Sequence, residues 1–153
     1  HTRFIELAGE INRSMPQYVV NRTMEALNKQ KKALNGCKVL LMGLAYKEDV
    51  DDMRESPSFE LMDLFAAQGA EVDYYDPHIP VISPTREHAA WTGYESVTWN
   101  QESIEVYDAV VIATHHKSFD LGELVNWADL IIDTRNACKK ANVSGKPGQI
   151  TKA

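Results

Sequence analysis

The sequence predicts an α/β fold: a Rossmann-like, parallel five-stranded sheet in the order 3-2-1-4-5, with helices on both faces and two helices ahead of it. Three observations carry this expectation. The runs Val39–Met42 and Ala109–Ala113 are apolar without alternation, as strands covered on both faces are. Stretches of helical periodicity separate such runs from Lys38 onward, and strand–helix alternation argues a parallel sheet. Right-handed crossovers then put the topological switch point between strands 1 and 4, where open α/β sheets bind their ligands.

The elements follow in order. Phe4, Leu7, Ala8 and Ile11 have helical spacing over residues 3–13. Ser14-Met15-Pro16-Gln17 reads as a second helix start, with Ser14 as cap, Gln17 in a capping box and Pro16 in the first turn. That helix carries Val19, Val20, Met24 and Leu27 and stops at Asn35-Gly36. Its apolar face packs either on the domain's own sheet or on parts outside this chain. The first strand spans about 38–42, and Ser56-Pro57 opens the next helix as cap and first helical residue. A second strand covers Glu71–Tyr75, and a short third one is expected near Ser96–Trp99. A short helix near 101–106 precedes the fourth strand, Ala109–Ala113. A helix near 120–127 precedes the fifth, Leu130–Ile132. From Ala141 the chain has Gly145, Pro147 and Gly148 and little periodicity, so a loop or frayed end is expected.

Bulk properties narrow the function classes. The 153 residues, 44% of them hydrophobic, suffice for one domain with a real core. A net charge of -6 without a basic stripe disfavours nucleic acid, while leaving room for a local phosphate pocket. No apolar run reaches membrane-spanning length and no signal segment is visible, so a cytoplasmic protein is expected. Cys37 and Cys138 form neither a disulfide framework nor a metal spacing. The chain enters directly into helix from His1, which points to a piece of something longer.

The loop after the first strand holds the chemistry. A dinucleotide fingerprint would read G-x-G-x-x-G; here Gly43-Leu44-Ala45-Tyr46-Lys47-Glu48 keeps only the first glycine. A ligand phosphate would then be met by a side chain, with Lys47 the candidate against a merely solvated lysine. Arg54 can fork onto an anion or pair with Asp51, Asp52 or Glu55. Asp76 stands where such folds place a ribose-binding acid, or simply forms the turn before Pro77. His115-His116 suggests acid–base chemistry or a metal, yet no further ligand lies near in sequence, and no metal is expected. Cys138 lacks a partner base and reads as structural.

The wording GLAYKEDVDDMRESPSFELMDLF, followed in order by YDPHIP, AVVIATHHKSFD and IIDTRN, resembles the C-terminal domain of the UDP-glucose/GDP-mannose dehydrogenase family. The leading ELAGEINRSMPQYVV is similar to the segment joining that family's central helical region to this domain. DDMRESPS and REHAAWTG look most like the bacterial UDP-N-acetylhexosamine 6-dehydrogenases. The resemblance implies an NAD-dependent oxidoreductase that turns a sugar C6 alcohol into a carboxylate for polysaccharide biosynthesis. It implies a tail of the central dimerisation region over residues 1–35 and a UDP-sugar-binding domain over residues 36–153. By position, Tyr46, Lys47 and Arg135 match substrate contacts, and Arg54 matches an arginine that reaches NAD. NAD itself would be bound mainly by an N-terminal domain not in this chain, and the full-length enzyme would be a homodimer. No residue here matches the family's catalytic cysteine, so the chain alone should not turn over. Two other readings stay open: a stand-alone non-catalytic nucleotide-binding or protein-interaction module, and a free-standing NAD-binding domain, against which the lost glycines count.

Overall fold

The computed structural model describes residues 2–153. Five strands, β1 (Lys38–Met42), β2 (Glu71–Tyr75), β3 (Ala109–Ile112), β4 (Ile131–Asp133) and β5 (Ile150–Lys152), form one sheet. Its order is β2-β1-β3-β4-β5 and every pairing is parallel. The helices are α1 (Thr2–Lys29), α2 (Pro57–Ala67), α3 (Gln101–Ile104), α4 (Leu121–Trp127) and α5 (Ala137–Lys140). None of the described helices is long and apolar enough to cross a membrane.

The unbroken apolar strands have a direct explanation in the packing. Successive side chains of a strand point to opposite faces. Val39, Leu41 and Val111 join one core with Leu27 of α1 and Phe59, Met62 and Phe65 of α2. Leu40, Met42 and Val110 join a second core with Ile104, Leu121 and Leu124 of α3 and α4. A polar residue at any of these positions would face one core or the other. At the start of α2, Ser56 Oγ accepts from the Ser58 N–H and Pro57 takes the first helical position, as the sequence predicts.

The sheet differs from expectation at both edges. Ser96–Trp99 lies beside β2 but forms no strand. Its Val97 N–H donates to Tyr74 O, while Glu95 bridges antiparallel to Val81 and Ser96 N–H donates to Pro80 O. The backbone there is committed to the 80–96 loop, and a single bond to β2 remains. The opposite edge gains β5 from the predicted loop or frayed end. Gln149 fixes its approach: Nε2 donates to Val125 O and Ala128 O, and Oε1 accepts from Lys146 N–H. Arg22 of α1 then donates to Lys152 O at 3.0 and 3.2 Å. Ile-Thr-Lys is too short to announce a strand, and tertiary contacts supply what propensity does not.

The two expected leading helices are one. Helix α1 runs through Pro16 without a break. Ser14 Oγ donates to Ile11 O instead of capping, and Gln17 pairs with Asn21 rather than closing a box. Pro16 removes one backbone bond. Val19, Val20, Thr23, Ala26 and Leu27 then bury the second half of the helix against the domain. The first half is different: Phe4, Ile5, Leu7 and Ile11 are exposed. Leu27→Ala should therefore cost about 3 kcal/mol in urea unfolding, whereas Leu7→Ala should stay within about 0.5 kcal/mol.

Candidate functional site

The carboxyl ends of β1, β2, β3 and β4 bring four loops together, and one buried carboxylate joins three of them. Asp76 follows β2 and is fully buried. Its Oδ2 accepts from the Leu44 N–H at 2.8 Å, the Ala45 N–H at 3.1 Å and His116 Nε2 at 2.9 Å. Its Oδ1 accepts from the His78 N–H at 2.8 Å. Burial by itself pushes this carboxyl up, but the bonds from His116, His78 and Leu44 outweigh it and hold the group below the usual carboxylate range. Asp76 is thus a turn-former, as one of its two readings has it. It is not exposed to a ribose. The N–H groups that a dinucleotide pyrophosphate would need are already taken.

His116 continues the chain of bonds. Its Nδ1 accepts from the Asp49 N–H at 2.8 Å, which leaves the ring proton on Nε2, facing Asp76. Asp49 has φ 60° and its Oδ1 accepts from the Lys117 N–H at 2.8 Å. Asp49, His78 and His116 are close enough to suggest a metal site, but both His116 nitrogens are engaged and neither offers a lone pair.

Gly43 is required by the fold rather than by a ligand. Its φ is +91°, and a Cβ there would lie 2.2 Å from the Thr114 carbonyl oxygen. The loop after β3 packs onto it, and Thr114 Oγ1 donates to Ala45 O at 2.9 Å. Ser58 Oγ donates to Gly43 O from the first turn of α2.

On the solvent side of this framework lies a cleft of about 160 Å³ lined by Tyr46, Lys47, Glu48, Thr114, His115, Arg135 and Lys140. It unites three of the four predicted site residues: Tyr46 and Lys47 from the loop after β1, and Arg135, up to 89 positions away in sequence, from the loop after β4. Arg135 is steered by its Nε bond to Ala113 O at 2.9 Å and by its N–H to Asp133 Oδ1. Lys47 makes no ion pair with any described residue, so it is not spent on its carboxylate neighbours. Three cations face one carboxylate, in a chain whose net charge is -6. That excess of positive charge suits an anion. Lys140 escaped the sequence reading because it sits on α5, a helix of four residues that only Asp133 organises, through the Ala137 and Cys138 N–H groups.

Arg54 is elsewhere. Its side chain is 85% exposed and forks onto Asp52, at 3.1 and 2.9 Å, the ion-pair alternative read from sequence. Hydrogen bonds from Arg54 hold the Asp52 carboxyl down at about 2. Both cysteines are buried and hold their protons. Burial pushes the Cys138 thiol up to about 12, with Asp133 adding to it, and burial also raises Cys37. A larger hollow of about 560 Å³ lies at the other end of the sheet, between the end of α4 and residues 144–149. Asp129 and Lys146 are its charged lining, so it lacks the excess of one sign that marks the smaller cleft.

Residues 40–140 match the model of the UDP-glucose/GDP-mannose dehydrogenase family, UDP binding domain. A UDP-N-acetyl-D-mannosamine dehydrogenase of Methanococcus maripaludis is 34% identical over 119 residues, which are 78% of this chain and 25% of that protein. A UDP-N-acetyl-D-glucosamine 6-dehydrogenase of Pseudomonas aeruginosa is 28% identical over 78% of this chain and 27% of its own length. The structure of a UDP-D-ManNAc dehydrogenase from Pyrococcus horikoshii superposes with a TM-score of 0.76 at 26% identity, over 97% of this chain and 32% of that one. The chain thus spans between a quarter and a third of the length of these relatives.

Two substitutions test the framework. Gly43→Ala should cost at least about 3 kcal/mol, because strain at positive φ adds to a clash with backbone. Asp76→Asn should cost about 3 kcal/mol near neutrality, since donors are left facing an amide. The stability that ionised Asp76 supplies is complete above its unfolded value of about 3.9 and is lost as pH falls through its lower folded value. Urea midpoints between about pH 7 and pH 3 should therefore fall less steeply in Asp76→Asn than in the unsubstituted chain.

Proposed function

The chain belongs to the UDP-glucose/GDP-mannose dehydrogenase family, and from that membership we propose that it binds the nucleotide sugar for an NAD-dependent UDP-sugar 6-dehydrogenase. The observation that carries this reading is the cationic cleft, where Tyr46 and Lys47 after β1 meet Arg135 after β4. Lys47 and Arg135 hold the diphosphate, with Arg135 presenting a planar fork and Lys47 a point charge. Tyr46, half-exposed at the rim, offers a face to the nucleoside or sugar.

NAD does not fit the loop after β1 as a pyrophosphate cradle, because Asp76 occupies the Leu44 and Ala45 N–H groups. This chain's share in NAD binding is Arg54 alone, reaching the cofactor from across a cleft when the rest of the enzyme is present. Hydride transfer and the nucleophilic cysteine belong to parts of the polypeptide outside this chain. Residues 1–35 are the tail of a central dimerisation region, and residues 36–153 are the UDP-sugar-binding domain. The exposed stripe of Phe4, Leu7, Ile11, Met15 and Tyr18 supports that division, since such a face needs a cover. The full enzyme is a cytoplasmic homodimer in this reading.

Titration with UDP should shift the amide resonances of Gly43–Lys47 and Arg135, with a dissociation constant near the millimolar range, about -4 kcal/mol. Lys47→Ala and Arg135→Ala should each weaken binding about tenfold, the worth of one charge-assisted hydrogen bond. Arg54→Ala should leave UDP binding unchanged. No shifts at millimolar UDP would count against the reading.

A further inference from the structure

The 44–49 segment carries Tyr46 and Lys47 and is anchored at both ends by one chain of hydrogen bonds, buried at Asp76 and partly buried at Asp49. At its start, Asp76 Oδ2 accepts from the Leu44 and Ala45 N–H groups. At its end, the Asp49 N–H donates to His116 Nδ1. The His116 ring connects the two anchors through its Nε2 bond to the same Asp76 oxygen. We propose that His116 is a positioning residue for the nucleotide: it aims Lys47 at the ligand's phosphates without touching the ligand itself. This rests on the reading of the cleft as a nucleotide-sugar site.

Several observations support an active positioning role over simple filling of space. The ring is fully buried, so water cannot replace it as the link. His78 and Phe119 pack edge-on against it, with centroids at 4.6 and 5.2 Å, and fix its plane. Asp49, two residues after Lys47, has φ 60°, a conformation that L side chains adopt at a cost and keep only when neighbours impose it. His116 and the Lys117 N–H impose it, both from the loop after β3. Lys47 itself has no ion pair among the described residues, so its direction depends on the backbone that carries it. Only the tautomer with its proton on Nε2 makes both bonds at once.

The test uses the chain as it stands, with UDP as probe. Ring-nitrogen spectra of the ligand-free protein should show the Nε2–H tautomer of His116. His116→Phe keeps a flat ring and removes both bonds. It should speed hydrogen exchange of the Asp49 amide at least tenfold and weaken UDP about tenfold, as loss of one buried hydrogen bond would. His116→Gln retains a donor and an acceptor and should recover most of that affinity. In the Lys47→Ala background, His116→Phe should weaken UDP no further, because its effect passes through Lys47. An Nδ1–H tautomer, unchanged Asp49 exchange, or full additivity with Lys47→Ala would overturn the proposal. If His116→Phe does not fold, the tautomer and the Gln variant decide it. The tautomer and exchange measurements need no ligand. Absence of UDP binding in the unsubstituted chain would therefore sink the nucleotide reading, while a correct tautomer with fast Asp49 exchange in His116→Phe would still support the relay.

Discussion

A single buried carboxylate, Asp76, organises the loops at the carboxyl edge of the sheet. It sits at the end of β2, accepts four hydrogen bonds and so ties the loop after β1 to the loop after β3 through His116. A charge so buried is stable only when its acceptor sites are filled, and each donor here is itself held by backbone or by a packed ring. Removing Asp76 leaves all four donors without their acceptor. That is why the loop after β1, polar and rich in charge, nevertheless has a defined shape.

The same interaction explains the chemistry of the edge. In a dinucleotide site the backbone N–H groups after the first strand face a phosphate. Here an internal carboxylate takes the phosphate's place, and the cations at this edge, Lys47, Arg135 and Lys140, come from side chains of three separate segments. Gly43 illustrates the exchange. It keeps the first glycine of the fingerprint, yet the space above it is filled by the Thr114 backbone rather than left for a ligand. The result favours a ligand recognised by side-chain charge over one cradled by backbone.

Helix α1 divides into two parts with different duties. Its second half belongs to the domain's core, and Arg22 even secures β5 at the far edge of the sheet. Its first half leaves large apolar side chains in solvent. A continuous helix couples the two, so the exposed stripe keeps a fixed direction relative to the sheet. Pro16, near the boundary, removes one backbone bond without ending the helix.

The amino-acid sequence by itself determined the fold class, four of the five strands, the cap of α2 and three residues of the cleft. These are legible because they rest on local pattern: the central strands, buried on both faces, are apolar, the edge strand β2 alternates, and Ser-Pro before an apolar run caps a helix. The wording of the loop after β1 carried the family, and with it Tyr46, Lys47 and Arg135. Tertiary structure decided the rest. A tripeptide too short to announce itself became β5 because Gln149 and Arg22 fixed it there, and Ser96–Trp99 stayed a loop because its backbone was used elsewhere. Pro16 did not end α1 because burial beyond it outweighed one lost bond. Asp76 and His116, 40 residues apart, became partners, and Lys140 joined the cleft, only when the sheet brought their loops to one edge. No local signal encodes such contacts; they depend on which strands lie side by side, a property of the whole chain.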